Sequence, residues 1–240
     1  MTQWQQYTDY GYETPAGFYK AFKSVFGCSP REYKNNIMKE GVNVFIDSVK
    51  NIEELDAIFE FWPNVYPDLP VDHEGSRDDW IKRWENDPGL LLYAKDNGQI
   101  CGFILGHGVP GQYVTVSFDG VSPDYKNKGI HEALFVEVEK YAKQRGYHGI
   151  ILGIIEGTEE FYAKLGYIGR TLIQSEKYSI DELLAFNEKY KSYEVDLTRV
   201  HEGQINQIWL NVPLMDKELK KMYTEEIGDC WVQVIVSKNL

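Results

Sequence analysis

Between residues 126 and 131 the chain reads Lys126-Asn127-Lys128-Gly129-Ile130-His131. Two lysines beside a glycine describe a turn that can face an anion. The ammonium groups supply charge, and Gly129 lets the backbone approach a ligand because no Cβ intrudes. If a helix starts here, its first amides lack intrahelical acceptors and lie at the positive end of the helix dipole. That is the chemistry of a phosphate or diphosphate cradle; an ordinary strand-to-helix connection with two solvated lysines has the same composition. A second stretch, residues 61–76, mixes aromatic rings, prolines and carboxylates. Trp62, Tyr66, Asp68, Asp72 and Glu74 are residue types that cage a cationic amine, by ring-to-cation contact and by charge. The alternative is a solvated loop whose Trp62 and Tyr66 fold into the core.

The elements around the basic turn can be read from periodicity. Val114, Val116 and Phe118 alternate with Thr115, Ser117 and Asp119, a strand pattern. Ser122-Pro123-Asp124 stops the strand, since proline has no N–H for the ladder and biases its predecessor away from helix. From Ile130 the period changes: Ile130, Ala133, Leu134, Val138, Tyr141 and Ala142 recur at helical spacing until Gly146. A strand, a glycine turn and a helix start therefore position Lys126 to His131.

Val121-Ser122-Pro123-Asp124-Tyr125-Lys126-Asn127-Lys128-Gly129-Ile130 resembles motif A of the GNAT acetyltransferases, Val-x-Pro-(Asp/Glu)-(Tyr/Phe) followed by Arg/Gln-x-x-Gly-x-Gly/Ala. Glu159 to Tyr167, Glu-Glu-Phe-Tyr-Ala-Lys-Leu-Gly-Tyr, resembles the family's motif B. The two stand in the family's order, and the likeness covers roughly residues 42 to 176. It implies an α/β (α+β) fold with a mixed central sheet flanked by helices. It also implies acetyl-CoA as co-substrate, its diphosphate held by Lys126, Asn127, Lys128, Gly129, Ile130 and His131. Its pantetheine arm would pair with backbone near Gly120 and Val121, between strands 114–121 and 149–155 that part from one another. Lys126 stands where the family has Arg or Gln, and His131 where it has Gly or Ala; an imidazole there either crowds the diphosphate or donates to it.

In such a reaction the amine attacks the thioester directly, so a base and an acid are needed but no cysteine nucleophile. Tyr162 takes the family's usual acid position. The strand position where relatives often carry a basic glutamate is Thr115, which leaves Asp119, His107, Glu156 or a water relay. His107 has an intrinsic pKa suited to the task.

Bulk properties narrow the class. The chain has 240 residues, 43% hydrophobic and 14% aromatic, enough for a packed globule. No apolar run approaches the roughly 18 residues needed to span a bilayer, and Met1 to Tyr10 is unlike a signal peptide. Cys28, Cys101 and Cys230 are dispersed and odd in number, which points to a reducing, cytoplasmic setting and to no metal site. A net charge of −12 opposes unspecific nucleic-acid binding.

Residues 1–40 differ from the rest. They carry five basic and four acidic residues, leaving −13 to the remainder. Gly11-Tyr12, Phe18, Phe22-Lys23, Gly27-Cys28-Ser29-Pro30 and Tyr33 resemble the closing part of an AraC-type helix-turn-helix domain. Thr14 is an expected N-cap, with Pro15 at the first helical position. Only part of such a domain is present, so the segment is expected as a helical arm that docks on the rest or on a second copy in a homodimer. DNA reading would need a longer parent or a dimer.

The sequence thus predicts three parts: a helix-turn-helix remnant over 1–40, an acetyltransferase domain over 41–176, and an α/β extension over 177–240. Within them it predicts a strand at Val42–Ile46, a helix capped by Asn51, a helix at Arg77–Asn86, and a hairpin about Asp96-Asn97-Gly98. A buried strand is expected at Gly149–Ile155, a strand at Tyr167–Gln174, and a helix capped by Ser179. Beyond them come a strand at Tyr193–Val200, helices at Ile205–Leu210 and Asp216–Glu226, and a closing strand at Trp231–Val236. The expected function is acetyl transfer to a small, cationic amine. The alternatives are a metabolite-sensing AraC-type regulator and a degenerate acetyltransferase fold that only binds.

Overall fold

The computed structural model describes residues 14–26, 29, 44–70 and 75–240. Asp72 and Glu74, Gly11, Tyr12, Gly27, Cys28, Pro30 and Tyr33 lie outside the described residues. The helix α1, Pro15–Phe26, starts as its sequence predicts, with Thr14 Oγ1 accepting from the Gly17 amide at 3.1 Å.

The chain divides into two compact units: residues 1–105 with 118–140, and residues 106–117 with 141–240. The first holds β1 (Val44–Ser48), α2 (Ile52–Phe61), a 3-10 turn at Trp62–Asn64, and α3 (Arg77–Asn86). It also holds β2 (Leu91–Asp96) and most of β3 (Gln99–His107). The end of β4 (Tyr113–Val121) and most of α4 (Ile130–Gln144) complete it. Both helix starts are fixed by side chains. Asn51 accepts from the Glu54 amide, and Ser76 forms a reciprocal capping box with Asp79. β1, β2 and β3 pair antiparallel, from Val44↔Asp96 to Ser48↔Leu92 and from Leu91↔Leu105 to Asp96↔Gln99. The hairpin turns on Asn97 (φ 49°) and Gly98 (φ 84°), the two left-handed positions a two-residue turn requires. The core of this unit gathers Leu55, Ile58, Trp62, Trp80, Leu91, Tyr93, Phe103 and Leu105.

The second unit takes the start of β4, then β5 (Gly149–Gly153), α5 (Glu159–Lys164), β6 (Ile168–Ser175) and α6 (Ile180–Tyr190). It continues through β7 (Val195–His201), β8 (Ile205–Leu210), α7 (Lys217–Lys221), a π-turn at Met222–Ile227 and β9 (Trp231–Asn239). Its strand order is β4-β5-β9-β6-β8-β7. β4 and β5 are parallel and every later pair is antiparallel. The closing strand β9 therefore lies between β5 and β6, in the middle of the sheet. Ile173, Leu183, Ile208, Leu210, Leu219, Met222 and Tyr223 form its core.

The expected helix at Ile205–Leu210 is a strand. Ile205, Ile208 and Trp209 are spaced as on a helix face, but Ile208 and Leu210 alternate into the core while Gln207 turns to the other face. There Gln207, 2% exposed, donates to Gln174 Oε1 and accepts from Arg199 Nε, each at 2.7 Å. A buried amide is satisfied only across strands here, and that fixes the pairing. β5 stops at Gly153, two residues short of its expected end, and Ile155 is 66% exposed. The expected helix at Asp216–Glu226 is a five-residue α-helix continued by the π-turn. Together the elements make the mixed α/β fold with a large sheet flanked by helices that the sequence predicts. No helix among the described residues is long and apolar enough to cross a membrane.

Candidate active site

The basic turn is built as strand, bend and helix start. β4 ends at Val121, and the Ser122 amide donates to the Cys101 carbonyl at 2.9 Å, which ties the turn to β3. Tyr125 N donates to Ser122 O at 2.9 Å and Lys126 N to Pro123 O at 3.3 Å, a single 3-10 turn. Asn127 (φ 63°) and Gly129 (φ 74°) then take left-handed backbone, tolerated by an asparagine and natural for a glycine. The first bond of α4 runs from the Ala133 amide to the Gly129 carbonyl at 3.0 Å. The amides of Ile130, His131 and Glu132 thus precede any intrahelical acceptor and carry the positive end of the dipole. Lys126 and Asn127 are exposed; Lys128 is half-exposed, with Nζ 4.6 Å from the ring centre of Tyr125.

His131 turns toward β4. Its Nε2 is bonded to Asp119 Oδ2, and its ring stands edge-on to Phe135 at 5.4 Å. The Asp119 carboxylate, 11% exposed, is therefore engaged by the imidazole. The Asp119 carbonyl accepts from the Tyr66 hydroxyl at 2.5 Å. Burial, and then the Asp119 charge, push that phenol well above the usual tyrosine range, so it stays a donor. Tyr66 and its neighbour Val65 cover Gly120, where an added Cβ would fall 2.3 Å from Val65 Cγ1. Asp119, Gly120, Tyr66 and His131 are thus brought together, and Val121 follows half-buried.

The acidic aromatic loop departs from a simple cage. Trp62 is fully buried among Trp80, Phe103 and Phe118, with ring centres at 5.8, 6.1 and 4.2 Å. Its Nε1 donates to the Leu69 carbonyl at 3.4 Å. Four large rings exclude water more effectively packed together than spread around an exposed cation, so Trp62 is core rather than cage. Asp68 is exposed.

In the second unit His107 Nδ1 and Ser117 Oγ lie 3.1 Å apart, with Thr115 exposed on the same face of β4. Tyr162 lies on α5, 5% exposed, its ring edge-on to Phe161 at 4.9 Å and to Tyr167 at 6.0 Å. Glu156 is held by Lys220 at 2.9 Å and Lys217 at 3.7 Å. Those lysines, Lys220 first, keep its carboxyl below the ordinary glutamate range, which makes it a poor proton acceptor. Among the described residues the β4–β5 ladder runs from Tyr113↔Gly149 to Thr115↔Ile151, while β4 continues to Val121 and β5 to Gly153.

Sequence reasoning did not give the partners of these residues. Tyr66 meets Asp119 across 53 positions, and Ser117 meets His107 across 10. Only the polar alternation of β4 pointed toward the second pair.

The acetyltransferase (GNAT) family profile matches residues 52–167. An acetyltransferase of Pectobacterium atrosepticum is 29% identical over 136 residues, 52% of this chain and 94% of that relative. One of Sodalis glossinidius is 32% identical over 108 residues, 40% of this chain and 75% of the relative. One of Yersinia pestis is 31% identical over 107 residues, again 40% and 75%. Among solved structures, the ribosomal-protein-S18-alanine N-acetyltransferase from Escherichia coli is 16% identical, with a TM-score of 0.44 over 72% of this chain and 97% of that one. Relatives above 30% identity matched along three quarters of their length, together with the family profile over residues 52–167, place this acyltransferase in the GNAT acetyltransferase family.

Proposed function

We propose that this acyltransferase moves the acetyl group of acetyl-CoA to the nitrogen of a small, cationic amine. The observation that carries the reading is the bend at Gly129, left-handed at φ 74° and leading straight into α4. Lys126, Asn127, Lys128 and the amides at Ile130 and His131 supply the donors a diphosphate needs. The amine nitrogen attacks the thioester carbon, the carbon–sulfur bond breaks, and the departing thiolate takes the Tyr162 hydroxyl proton. The amine's proton goes to His107 or, if it leaves His131, to Asp119. Direct attack suits the cysteines: burial pushes the Cys101 thiol up to about 11, far from a nucleophile's range. Tyr66 and Asp68 are the described residues of the acceptor loop that remain for the amine, with Asp72 beside them in sequence.

Calorimetric titration with coenzyme A tests the reading, followed by thiol release from acetyl-CoA across a panel of polyamines and aminosugars. No binding at millimolar coenzyme A defeats it. Binding with no turnover on any amine favours a binding-only role, to which the Asp119–His131 pair lends support by occupying a candidate base. DNA contact by the N-terminal arm rests on sequence resemblance, and a gel shift at stated salt with and without coenzyme A tests it.

A further inference from the structure

We infer that Asp96 and Tyr125 are positioning residues that set Lys128 for the diphosphate of coenzyme A, an inference that rests on the acetyl-CoA reading above. Asp96 closes β2 and is 8% exposed. A carboxylate so buried needs donors, and it has them. Oδ1 accepts from Asn97 Nδ2 at 3.2 Å, and Oδ2 accepts from the Tyr125 hydroxyl at 3.1 Å. Tyr125 belongs to the 3-10 turn that leads into the basic bend, and its ring carries the Lys128 ammonium at 4.6 Å. A carboxylate, a phenol, a ring face and an ammonium thus form one chain from the β2–β3 hairpin to the bend.

The backbone of the bend does not depend on this chain. It is already stitched to β3 by the Ser122 amide on the Cys101 carbonyl and closed on itself by Tyr125 and Lys126. The side-chain link acts instead on where Lys128 can go. A phenol that donates to a carboxylate has a more electron-rich ring, which holds a cation more firmly. The Asp96 bond, and then burial, raise the phenol above its ordinary range, so the donor persists through neutral pH. A lysine restrained beside its anion site loses less rotamer freedom on binding than one that wanders in solvent. Lys128 falls at a variable position of motif A, so the resemblance puts it in the turn without saying what holds its side chain there.

The test compares coenzyme A, titrated calorimetrically, with pantetheine, which keeps the thiol arm and lacks the diphosphate, followed by ligand-observed NMR at millimolar concentration. Tyr125→Phe and Asp96→Ala should each weaken coenzyme A roughly 3- to 10-fold, the scale of immobilising one long side chain on binding, and leave pantetheine unchanged. Asp96→Asn still offers an amide oxygen to Tyr125 and should retain most of the affinity. Lys128→Gln combined with Tyr125→Phe should weaken binding less than the product of the two single effects, because both act on one contact. If Asp96→Ala fails to fold by circular dichroism, Tyr125→Phe decides. The inference is overturned if the wild type binds coenzyme A and folded Tyr125→Phe binds it equally well, or loses coenzyme A and pantetheine alike. A wild type that does not bind coenzyme A defeats the acetyl-CoA reading itself.

Discussion

Gly129 is held at φ 74°, where an L side chain clashes with the following carbonyl at a cost of roughly 1–2 kcal/mol. Gly129→Ala should therefore weaken coenzyme A modestly by loosening the bend, while Gly129→Trp should abolish binding by filling the place of the ligand; calorimetry reads both. Tyr162→Phe leaves the packing against Phe161 and Tyr167 in place and removes only the hydroxyl. If that hydroxyl protonates the thiolate, kcat should fall about 100-fold or more with coenzyme A affinity unchanged. A wild-type kcat in that variant would move the acid role elsewhere. The bend and the short helix that carries Tyr162 were legible in the sequence because short motifs fix them locally. The partners were not: His131 meets Asp119 across 12 positions and Tyr66 meets it across 53, through folding that no short motif spells out. Trp62 shows the same limit from another side, since one ring serves a cage or a core equally well until burial decides.

At the scale of elements, the helix starts were legible because capping chemistry is local: Asn51, Ser76 and Ser179 each accept from the amide three residues on. β8 was not, because its apolar spacing fits either period and the buried Gln207 is satisfied only by residues of two other strands. β9 inserts between β5 and β6 and crowds Gly149. At Gly149 an added Cβ would lie 2.3 Å from the Lys238 carbonyl on β9 and 2.5 Å from Tyr113 Cε1 on β4. The carbonyl belongs to a paired backbone and cannot yield without breaking the β5–β9 ladder. Gly149→Ala should cost on the order of 1–3 kcal/mol, the range of overpacking a filled interior. Urea denaturation measures it. An unchanged midpoint would mean that β9 is not held against β5 as described.

The whole molecule carries a net charge of −12 and 17 tyrosines, and both bear on alkaline stability. Burial raises the phenols of Tyr66 and Tyr93 in the first unit and Tyr223 in the second, Tyr93 to about 12. Below about pH 10 these groups are protonated whether the chain is folded or not, so their contribution is fully present. Above it the unfolded chain releases the protons and the folded chain keeps them, so stability falls as pH rises through the folded values. The slope is up to about 1.4 kcal/mol per pH unit for each such group. Ionised surface tyrosines also deepen the negative charge, and self-repulsion pulls the same way. Salt separates the causes: half-molar sodium chloride shortens the screening length and quiets repulsion between exposed charges, but does little for a phenol inside the core. The denaturation midpoint should therefore hold steady from pH 7 to 9, then fall between 10 and 12 in high salt as well as low. Tyr93→Phe, which keeps the ring and drops the hydroxyl that donates to Glu54 at 3.1 Å, should lower the midpoint at neutral pH and flatten the alkaline fall. A fall that vanishes in salt would assign it to surface charge and leave the buried phenols without a part in it.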